Sequence, residues 1–185
     1  ILLYGPPGSG KSSFACSIAN KLGIPSYRIL GTDDNSSIER QASVTACLNM
    51  TNTDTGSFIL IDEADNMLNT NMSYMMRGET QDKGWLNQFL DEPGSRIIWI
   101  TNHIRNIETS VLRRFAYSIH FKSFDQRQRR KLWEMILGKH KCRHLVTATE
   151  IERLSKKYDI SAGAVDISVR KAIEIKAKTK KDLLS

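Results

Sequence analysis

Residues 5–13 read GPPGSGKSS, and this stretch decides the fold that the sequence predicts. From Gly5 to Ser12 it matches the pattern G-x-x-x-x-G-K-[S/T], after an apolar run and before a helical pattern. In that setting, backbone N–H groups and the first turn of the helix form a cradle for phosphate oxygens. The predicted cradle comprises Gly5, Pro6, Pro7, Gly8, Ser9, Gly10, Lys11, Ser12 and Ser13. A glycine-rich turn without a ligand is the alternative, and the strand-loop-helix context disfavours it.

Two side chains of this loop are suited to nucleotide chemistry. The Lys11 ammonium is placed to bridge the β- and γ-phosphates, and the Ser12 hydroxyl is placed to bind Mg²⁺. Ser13 follows in the helix, where it either packs or lies close to the α-phosphate. The loop therefore predicts a site for a nucleotide with Mg²⁺.

Short apolar runs alternate with helical patterns along the first two thirds of the chain. The runs are ILLY at 1–4, YRIL at 27–30, FILI at 58–61, IIWI at 97–100 and YSIHF at 117–121. Continuous apolar runs of this length are typical of strands buried on both faces. The sequence therefore predicts an α/β fold in which helices flank a five-stranded parallel sheet. Since Ile1 would already lie in a strand, we expect preceding elements of this domain to be missing from the sequence.

Helical patterns alone follow Lys122, so we predict an α/β domain over residues 1–122 and a small all-helical lid over 123–185. Ser123 and Gln126 have the spacing of a capping box before a helix that Gly138 can end. Thr147 and Glu150 repeat that spacing, and a third helix follows Ser161.

Polar side chains end two of the apolar runs. Asp62 could hold Mg²⁺ through its water shell, and Glu63 could polarise an attacking water as a general base. A pair of helix-capping residues at a strand end is the other interpretation. Asn102 could reach both the water and the γ-phosphate, or it could simply form a turn, and on its own it leaves both readings open.

Composition excludes several classes of protein. The sequence has no apolar stretch long enough to span a membrane and no signal peptide, so we expect a cytoplasmic protein without a membrane partner. Its three cysteines have no metal-binding spacing. Residues 1–122 hold 11 Lys+Arg and 12 Asp+Glu, whereas residues 123–185 hold 16 and 8. The excess positive charge is C-terminal, and we interpret it as a solvated face rather than a nucleic-acid surface.

Several of these stretches together resemble the AAA+ ATPases, close to the AAA branch of the P-loop NTPases. They are GPPGSGKSS, FILIDEADNML, WLNQFLDE, IIWITN and VLRRFAYSIHF, in the order and approximate spacing of that family. The segment LIDEADNML at 60–68 also resembles the box of DEAD-box RNA helicases. The chain is too short for the two domains of such a helicase, and no Ser-Ala-Thr tripeptide follows the box.

The resemblance to the AAA+ family implies a role for each matching residue. Gly5 to Ser13 would be the Walker A loop, Asp62 and Glu63 the Walker B pair, and Asn102 sensor 1. Arg113 and Arg114 stand where the family has arginine fingers, which reach the nucleotide of a neighbouring subunit. Because adjacent residues on a helix end face different directions, at most one of them acts. We favour Arg114 and expect Arg113 to form a structural salt bridge.

Three stretches depart from the family pattern. GTDDNSS at 31–37 replaces the pore loop that grips polypeptide, and Val165 stands where a sensor 2 arginine is expected, with Arg170 further along. A methionine-rich segment around Met72, Met75 and Met76 is either a partner surface or, by preference, internal packing.

The sequence and the resemblance together predict Mg²⁺-dependent hydrolysis of ATP. The module would drive remodelling of a macromolecular partner, with protein favoured over nucleic acid, as a homo-oligomeric ring or arc. Two alternatives stay open. One is a nucleotide-gated assembly module with little hydrolysis, and the other is a nucleic-acid remodeller that uses the basic lid.

Overall fold

The computed structural model of the protein describes residues 1–29, 37–51, 56–70, 83–91, 94 and 96–174. Within these residues, five strands form one sheet in which every neighbouring pair is parallel. The strands are β1 (Leu2–Tyr4), β2 (Ser26–Ile29), β3 (Phe58–Ile61), β4 (Ile97–Thr101) and β5 (Ser118–His120). Their order across the sheet is β2-β3-β4-β1-β5. Each predicted apolar run is therefore a strand of this sheet.

The apolar residues of β1, β3 and β4 alternate between two hydrophobic clusters, one for each face of the sheet. Leu2, Ile61 and Trp99 belong to one cluster, and Leu3 and Leu60 belong to the other. All five are at most 2% exposed. Because both faces are covered, these strands need apolar residues at every position, which is why they read as unbroken apolar runs.

The two edge strands differ from the central three. Tyr27 of β2 is 43% exposed and Ile119 of β5 is 38% exposed, although both lie in apolar runs. Among the described residues, each edge strand has one neighbouring strand in the sheet. The prediction of a buried strand is therefore correct for β1, β3 and β4 and wrong for β2 and β5.

Helices supply the covering layers of the sheet. They are α1 (Lys11–Leu22), α2 (Ser37–Thr51), α3 (Asp65–Leu68), α4 (Lys83–Asp91) and α5 (Thr109–Leu112). Ala15 of α1 joins the cluster around Leu3, whereas Val44 of α2 and Phe89 of α4 join the cluster around Trp99. The predicted fold class, a five-stranded parallel sheet flanked by helices with a helical C-terminal part, is confirmed.

The chain divides into two compact units, residues 1–6 with 10–121 and residues 7–9 with 122–185. The second unit contains α6 (Gln126–Lys139), α7 (Ala148–Lys157) and α8 (Ala162–Glu174). These helices bury a cluster of their own that includes Leu132, Trp133, Leu137, Ile151, Val165 and Val169. The division at residue 122 into an ATPase core and a lid stays a prediction.

Two helices of the second unit begin with capping boxes. At α7 the Thr147 hydroxyl accepts from the Glu150 N–H, and the Glu150 carboxylate accepts from the Thr147 N–H at 2.9 Å, as predicted. At α6 the box consists of Asp125 and Gln128, joined by bonds of 2.7 and 2.9 Å.

The predicted box of Ser123 and Gln126 is therefore wrong by two residues. The same spacing recurs at Asp125, whose carboxylate accepts from the Gln128 N–H at the start of the helix. The helix also continues one residue past its predicted end at Gly138.

Some predictions concern segments outside the described residues. They are the loop at 31–36 and the methionine-rich segment at 71–82. In the described part of the chain, no helix combines the length and the apolar character needed to cross a membrane.

Truncation of a core leucine in α6 tests the second hydrophobic cluster. Leu137 is fully buried, whereas Met135 on the same helix is 65% exposed. We expect Leu137→Ala to lower the free energy of unfolding by about 2–5 kcal/mol because it leaves a cavity. Met135→Ala should change it by about 0.5 kcal/mol or less. Urea titration followed by tryptophan fluorescence measures both losses, and equal losses would contradict the assigned core.

Candidate active site

The loop between β1 and α1 depends on glycines at both of its ends. Gly5 has φ +145°, and a Cβ there would lie 2.0 Å from the Phe121 carbonyl oxygen at the end of β5. Gly10 caps α1 with φ +91°. Only glycine adopts both conformations readily, so the spacing of Gly5 and Gly10 in the motif follows from the backbone. Residues 7–9 belong to the second compact unit, and their predicted phosphate contacts stay predictions.

The ammonium of Lys11 lies inside this loop, and its partners among the described residues are all uncharged oxygens. It donates to the carbonyl oxygens of Gly5 and Pro6 and to Asn102 Oδ1, each at 2.8 Å. Burial lowers the pKa of Lys11, and the nearby carboxylates of Asp65 and Asp62 oppose that shift. A buried cation held by neutral acceptors can exchange them for phosphate oxygens, which bind a cation more strongly.

Ser12 and Asp62, the two predicted magnesium ligands, lie next to each other. The Ser12 hydroxyl donates to Asp62 Oδ1 at 3.1 Å, and the other carboxylate oxygen accepts from the guanidinium of Arg28 on β2. A hydroxyl and a carboxylate side by side are the hard oxygen ligands that Mg²⁺ prefers, with its remaining positions left for water and phosphate. The residues present therefore fit the implied ion.

Glu63 follows Asp62 in an unusual backbone conformation. Its φ is +50°, in the left-handed region that costs a residue other than glycine about 1–2 kcal/mol. The Glu63 side chain is exposed, whereas Arg40 of α2 lies buried beneath the turn. Arg40 donates to the Asp62 carbonyl oxygen at 2.7 Å and to the Glu63 carbonyl oxygen at 2.8 Å. Burial lowers the pKa of Arg40, and the carboxylates of Glu63, Asp65 and Asp62 oppose the shift.

Asp65 joins the turn after β3 to the end of β4. Its Oδ1 atom accepts from the Thr101 hydroxyl at 2.7 Å and from the N–H groups of Asn102 and His103, each at 3.1 Å. One carboxylate thereby fixes the backbone from which the Asn102 side chain extends. Asn102 in turn accepts from Lys11, so three strand ends form one hydrogen-bonded network.

The structure thus brings together Lys11, Ser12, Asp62 and Asn102, with Glu63 beside Asp62. Sequence reasoning did not identify three further residues of the network, namely Arg28, Arg40 and Asp65. Only Asp65 had a usable signal, because it stands three positions after Asp62 in the acidic segment. Arg28 and Arg40 are isolated basic residues in unremarkable surroundings, and only the fold shows what they contact.

The two adjacent arginines after α5, Arg113 and Arg114, make different contacts. Arg114 pairs with Asp91 of α4 in the same chain. Arg113 is exposed, and no partner for it is found among the described residues. The expected structural salt bridge is therefore made by Arg114 and not by Arg113, because the Arg114 side chain faces α4. In the second unit, Val165 is fully buried and Arg170 is exposed.

Comparison with known families decides between the possible ATPase classes. The family model described as "ATPase family associated with various cellular activities (AAA)" matches residues 1–123. The chain belongs to the AAA family of ATPases. The resemblance identified from the motifs is confirmed, and nucleotide binding is a property that this family implies.

Individual relatives of this AAA chain are distant. It is 30% identical over 179 residues to the ATP-dependent zinc metalloprotease FtsH of Corynebacterium glutamicum, covering 89% of this chain and 20% of that protein. It is 26% identical over 163 residues to the mitochondrial sorting homolog of Caenorhabditis elegans, covering 84% and 48%. Against vacuolar protein sorting-associated protein 4B of Mus musculus the identity is 25% over 185 residues, covering 94% and 40%. The chain therefore spans between a fifth and about half of the length of these relatives.

Removal of the Asp65 carboxylate tests the network. Asp65→Ala leaves the hydroxyl of Thr101, a residue that is 1% exposed, and the Asn102 N–H without their acceptor, whereas the His103 N–H keeps the Thr101 hydroxyl oxygen. We expect a loss of about 1–3 kcal/mol in the free energy of unfolding. Asp65→Asn keeps one acceptor oxygen, so its free energy of unfolding should fall by less than that of Asp65→Ala.

The neighbouring variant Asn66→Ala serves as the control, because the Asn66 side chain is exposed on the same short helix. Chemical denaturation of all three variants gives the comparison. If Asp65→Ala and Asn66→Ala were equally stable, Asp65 would not hold the two strand ends together.

Proposed function

We propose that the AAA chain binds ATP with Mg²⁺ and hydrolyses the bond between the β- and γ-phosphates. The observation that carries this proposal is the network at the ends of β1, β3 and β4, which joins Lys11 to Asn102 and Ser12 to Asp62. A structural turn needs no buried lysine, and burial of such a charge costs free energy unless it has partners. A phosphate chain is the ligand that this arrangement of donors fits.

Each residue has a distinct task in the proposed reaction. The loop amides and Lys11 bind the phosphate oxygens, and Lys11 offsets charge that accumulates on them. Asn102, aligned by Asp65, orients the γ-phosphate and the attacking water. The attacking water gives a proton to the Glu63 carboxylate while the water oxygen bonds to the γ-phosphorus. At the same time the bond between the γ-phosphorus and the oxygen of the β-phosphate breaks.

Mg²⁺, held by Ser12 and by Asp62 through its water shell, would neutralise charge on the β- and γ-phosphate oxygens. In the structure Ser12 and Arg28 both contact the Asp62 carboxylate. These two donors fix the position of the carboxylate, and a bound cation would replace them.

The proposed role of the hydrolysis cycle is remodelling of a macromolecular partner by an oligomer. One of the relatives is named for vacuolar protein sorting, one for mitochondrial sorting and one as a metalloprotease, which favours a protein over nucleic acid as the partner. A ring or arc would let one subunit supply an arginine finger to the next. Of the two candidates, Arg113 is the better placed, since the described residues offer it no partner whereas Arg114 is engaged by Asp91.

Part of the positive charge of the second unit is already paired within that unit, which weakens the nucleic-acid alternative. Arg129 binds Asp159 and two backbone carbonyls, and Arg130 binds Glu134 and Glu152. Lys139 binds Asp166. Cations already satisfied by internal acceptors contribute less to binding a phosphate backbone. The other alternative, a nucleotide-gated assembly module, also binds nucleotide but hydrolyses little of it. A measurement of turnover therefore distinguishes it from the proposed ATPase.

Replacement of Glu63 tests hydrolysis directly. Glu63→Gln keeps the shape of the side chain but removes the proton acceptor, so we expect turnover to fall by about 10²–10⁴-fold while ATP binding persists. Phosphate release measures turnover, and titration with a fluorescent ATP analogue measures binding. Glu174→Gln, the same change at an exposed position of α8, is the control. Turnover at the wild-type rate in Glu63→Gln would refute the mechanism.

Mixing two inactive variants tests the shared site. We expect Arg113→Ala to lose turnover by about 10³-fold or more while nucleotide affinity is kept, because the finger acts only on charge in the transition state. A mixture of Arg113→Ala with Glu63→Gln should recover turnover. In mixed oligomers a Glu63→Gln subunit would supply its Arg113 to a neighbouring Arg113→Ala subunit, whose own Glu63 is intact.

A mixture of Lys11→Ala with Glu63→Gln is the matched control, because neither variant has an intact site. It should recover nothing. Failure of the first mixture, together with a turnover number independent of protein concentration, would exclude a finger at Arg113.

A further inference from the structure

Arg40 is a buried arginine whose guanidinium is hydrogen-bonded to backbone carbonyls. It is 2% exposed and lies in α2, far in sequence from the motifs of the site. Its two terminal nitrogens donate to the carbonyl oxygens of successive residues, Asp62 and Glu63, at 2.7 and 2.8 Å. The fork of the guanidinium thereby fixes two peptide planes directly after β3.

Burial of a charged arginine at this position is costly. Its hydrogen bonds end on neutral carbonyls, and its buried Nε atom has no partner among the described residues. An apolar side chain of similar length would avoid the cost of burying a charge, but it would leave both carbonyl oxygens without this donor. The arginine therefore serves the turn after β3, where its bonds end.

The two peptide planes that Arg40 holds determine the direction of the Glu63 side chain. Glu63 has φ +50°, a conformation that glutamate rarely adopts and that persists only where its surroundings enforce it. Among the described residues, the guanidinium is the side chain that bonds to the carbonyls on both sides of the Glu63 Cα–N bond. Without it the chain could relax, and the carboxylate would point elsewhere.

We propose that Arg40 is a positioning residue that holds the turn at Asp62 and Glu63 so that the Glu63 carboxylate faces the attacking water. This inference rests on the proposed ATP hydrolysis with Glu63 as general base. Arg40 itself touches neither nucleotide nor water. Its effect is expressed entirely through the placement of Glu63.

Steady-state kinetics of the whole chain test the placement. We expect Arg40→Met, which keeps the length of the side chain, to lower kcat by about 10- to 100-fold, since small displacements of a reacting group have effects of that size. Affinity for a fluorescent ATP analogue should change by less than about threefold, because the phosphate loop is untouched. Arg40→Lys keeps a donor and should fall between wild type and Arg40→Met. Gln41→Met, the same replacement at the next residue of α2, is the control.

A double-mutant cycle separates positioning from general structural damage. If Arg40 acts through Glu63, Arg40→Met should lower the residual rate of Glu63→Gln by less than about twofold, because there is no base left to misplace. An equal loss in both backgrounds would overturn the inference. So would an unchanged kcat in Arg40→Met, or a loss that appears only in nucleotide affinity.

Hydrogen exchange of the nucleotide-free chain gives a reading independent of turnover. Peptides that cover residues 61–66 should exchange about tenfold faster in Arg40→Met, while peptides of β1 and β4 keep their wild-type rates. If Glu63→Gln hydrolysed ATP at the wild-type rate, the proposed function would fail and exchange alone would decide on Arg40. Faster exchange confined to the turn would then support the positioning role, and unchanged exchange would overturn it.

Discussion

Burial of both faces of β1, β3 and β4 is the constraint on which the rest of the structure depends. Side chains alternate between two clusters, so a shift of one residue in any of these strands would exchange the two faces. The register is therefore fixed, with Leu2 opposite Trp99 and Ile59 opposite Ile97. Because all three strands run in the same direction, their carboxyl ends are brought to one edge of the sheet. The side chains of Lys11, Asp62 and Asn102 each follow one of those ends.

The site at that edge is a compact arrangement of opposite charges. Lys11 and Arg40 are buried cations whose hydrogen bonds go mostly to neutral oxygens, while Asp62 and Asp65 accept most of their bonds from hydroxyl, guanidinium and backbone donors. Hydrogen bonds among buried polar groups make such a network rigid, and the loss of one member leaves its partners unsatisfied at a high cost in free energy. Within this network the described residues leave the Arg40 Nε atom without a partner. Rigidity of this kind prepares the side chains for a charged ligand before it arrives.

Much of this arrangement could be predicted from the sequence, because local patterns carried it. The strands, the loop from Gly5 to Ser12 and the capping box at Thr147 each follow from neighbouring residues. Arg28 and Arg40 could not be predicted, since their partners lie 34 and 22 or more positions away and, for Arg40, are backbone carbonyls that no sequence pattern marks. The cap of α6 was misplaced because Ser123 and Asp125 offer the same spacing, and only the helix itself selects between them. The roles of Arg113 and Arg114 depended on the position of Asp91 in α4, which periodicity does not give.

The left-handed conformation at Glu63 has a consequence for how this lineage can change. Glycine and asparagine adopt that conformation at lower cost than glutamate, so either one at position 63 would remove the acid and favour the turn at the same time. Folding therefore gives no protection against the loss of the proposed base, and only selection on the proposed reaction would retain it. A descendant without Glu63 would keep the phosphate loop. In the proposed assembly it could persist as a subunit that binds nucleotide without hydrolysing it.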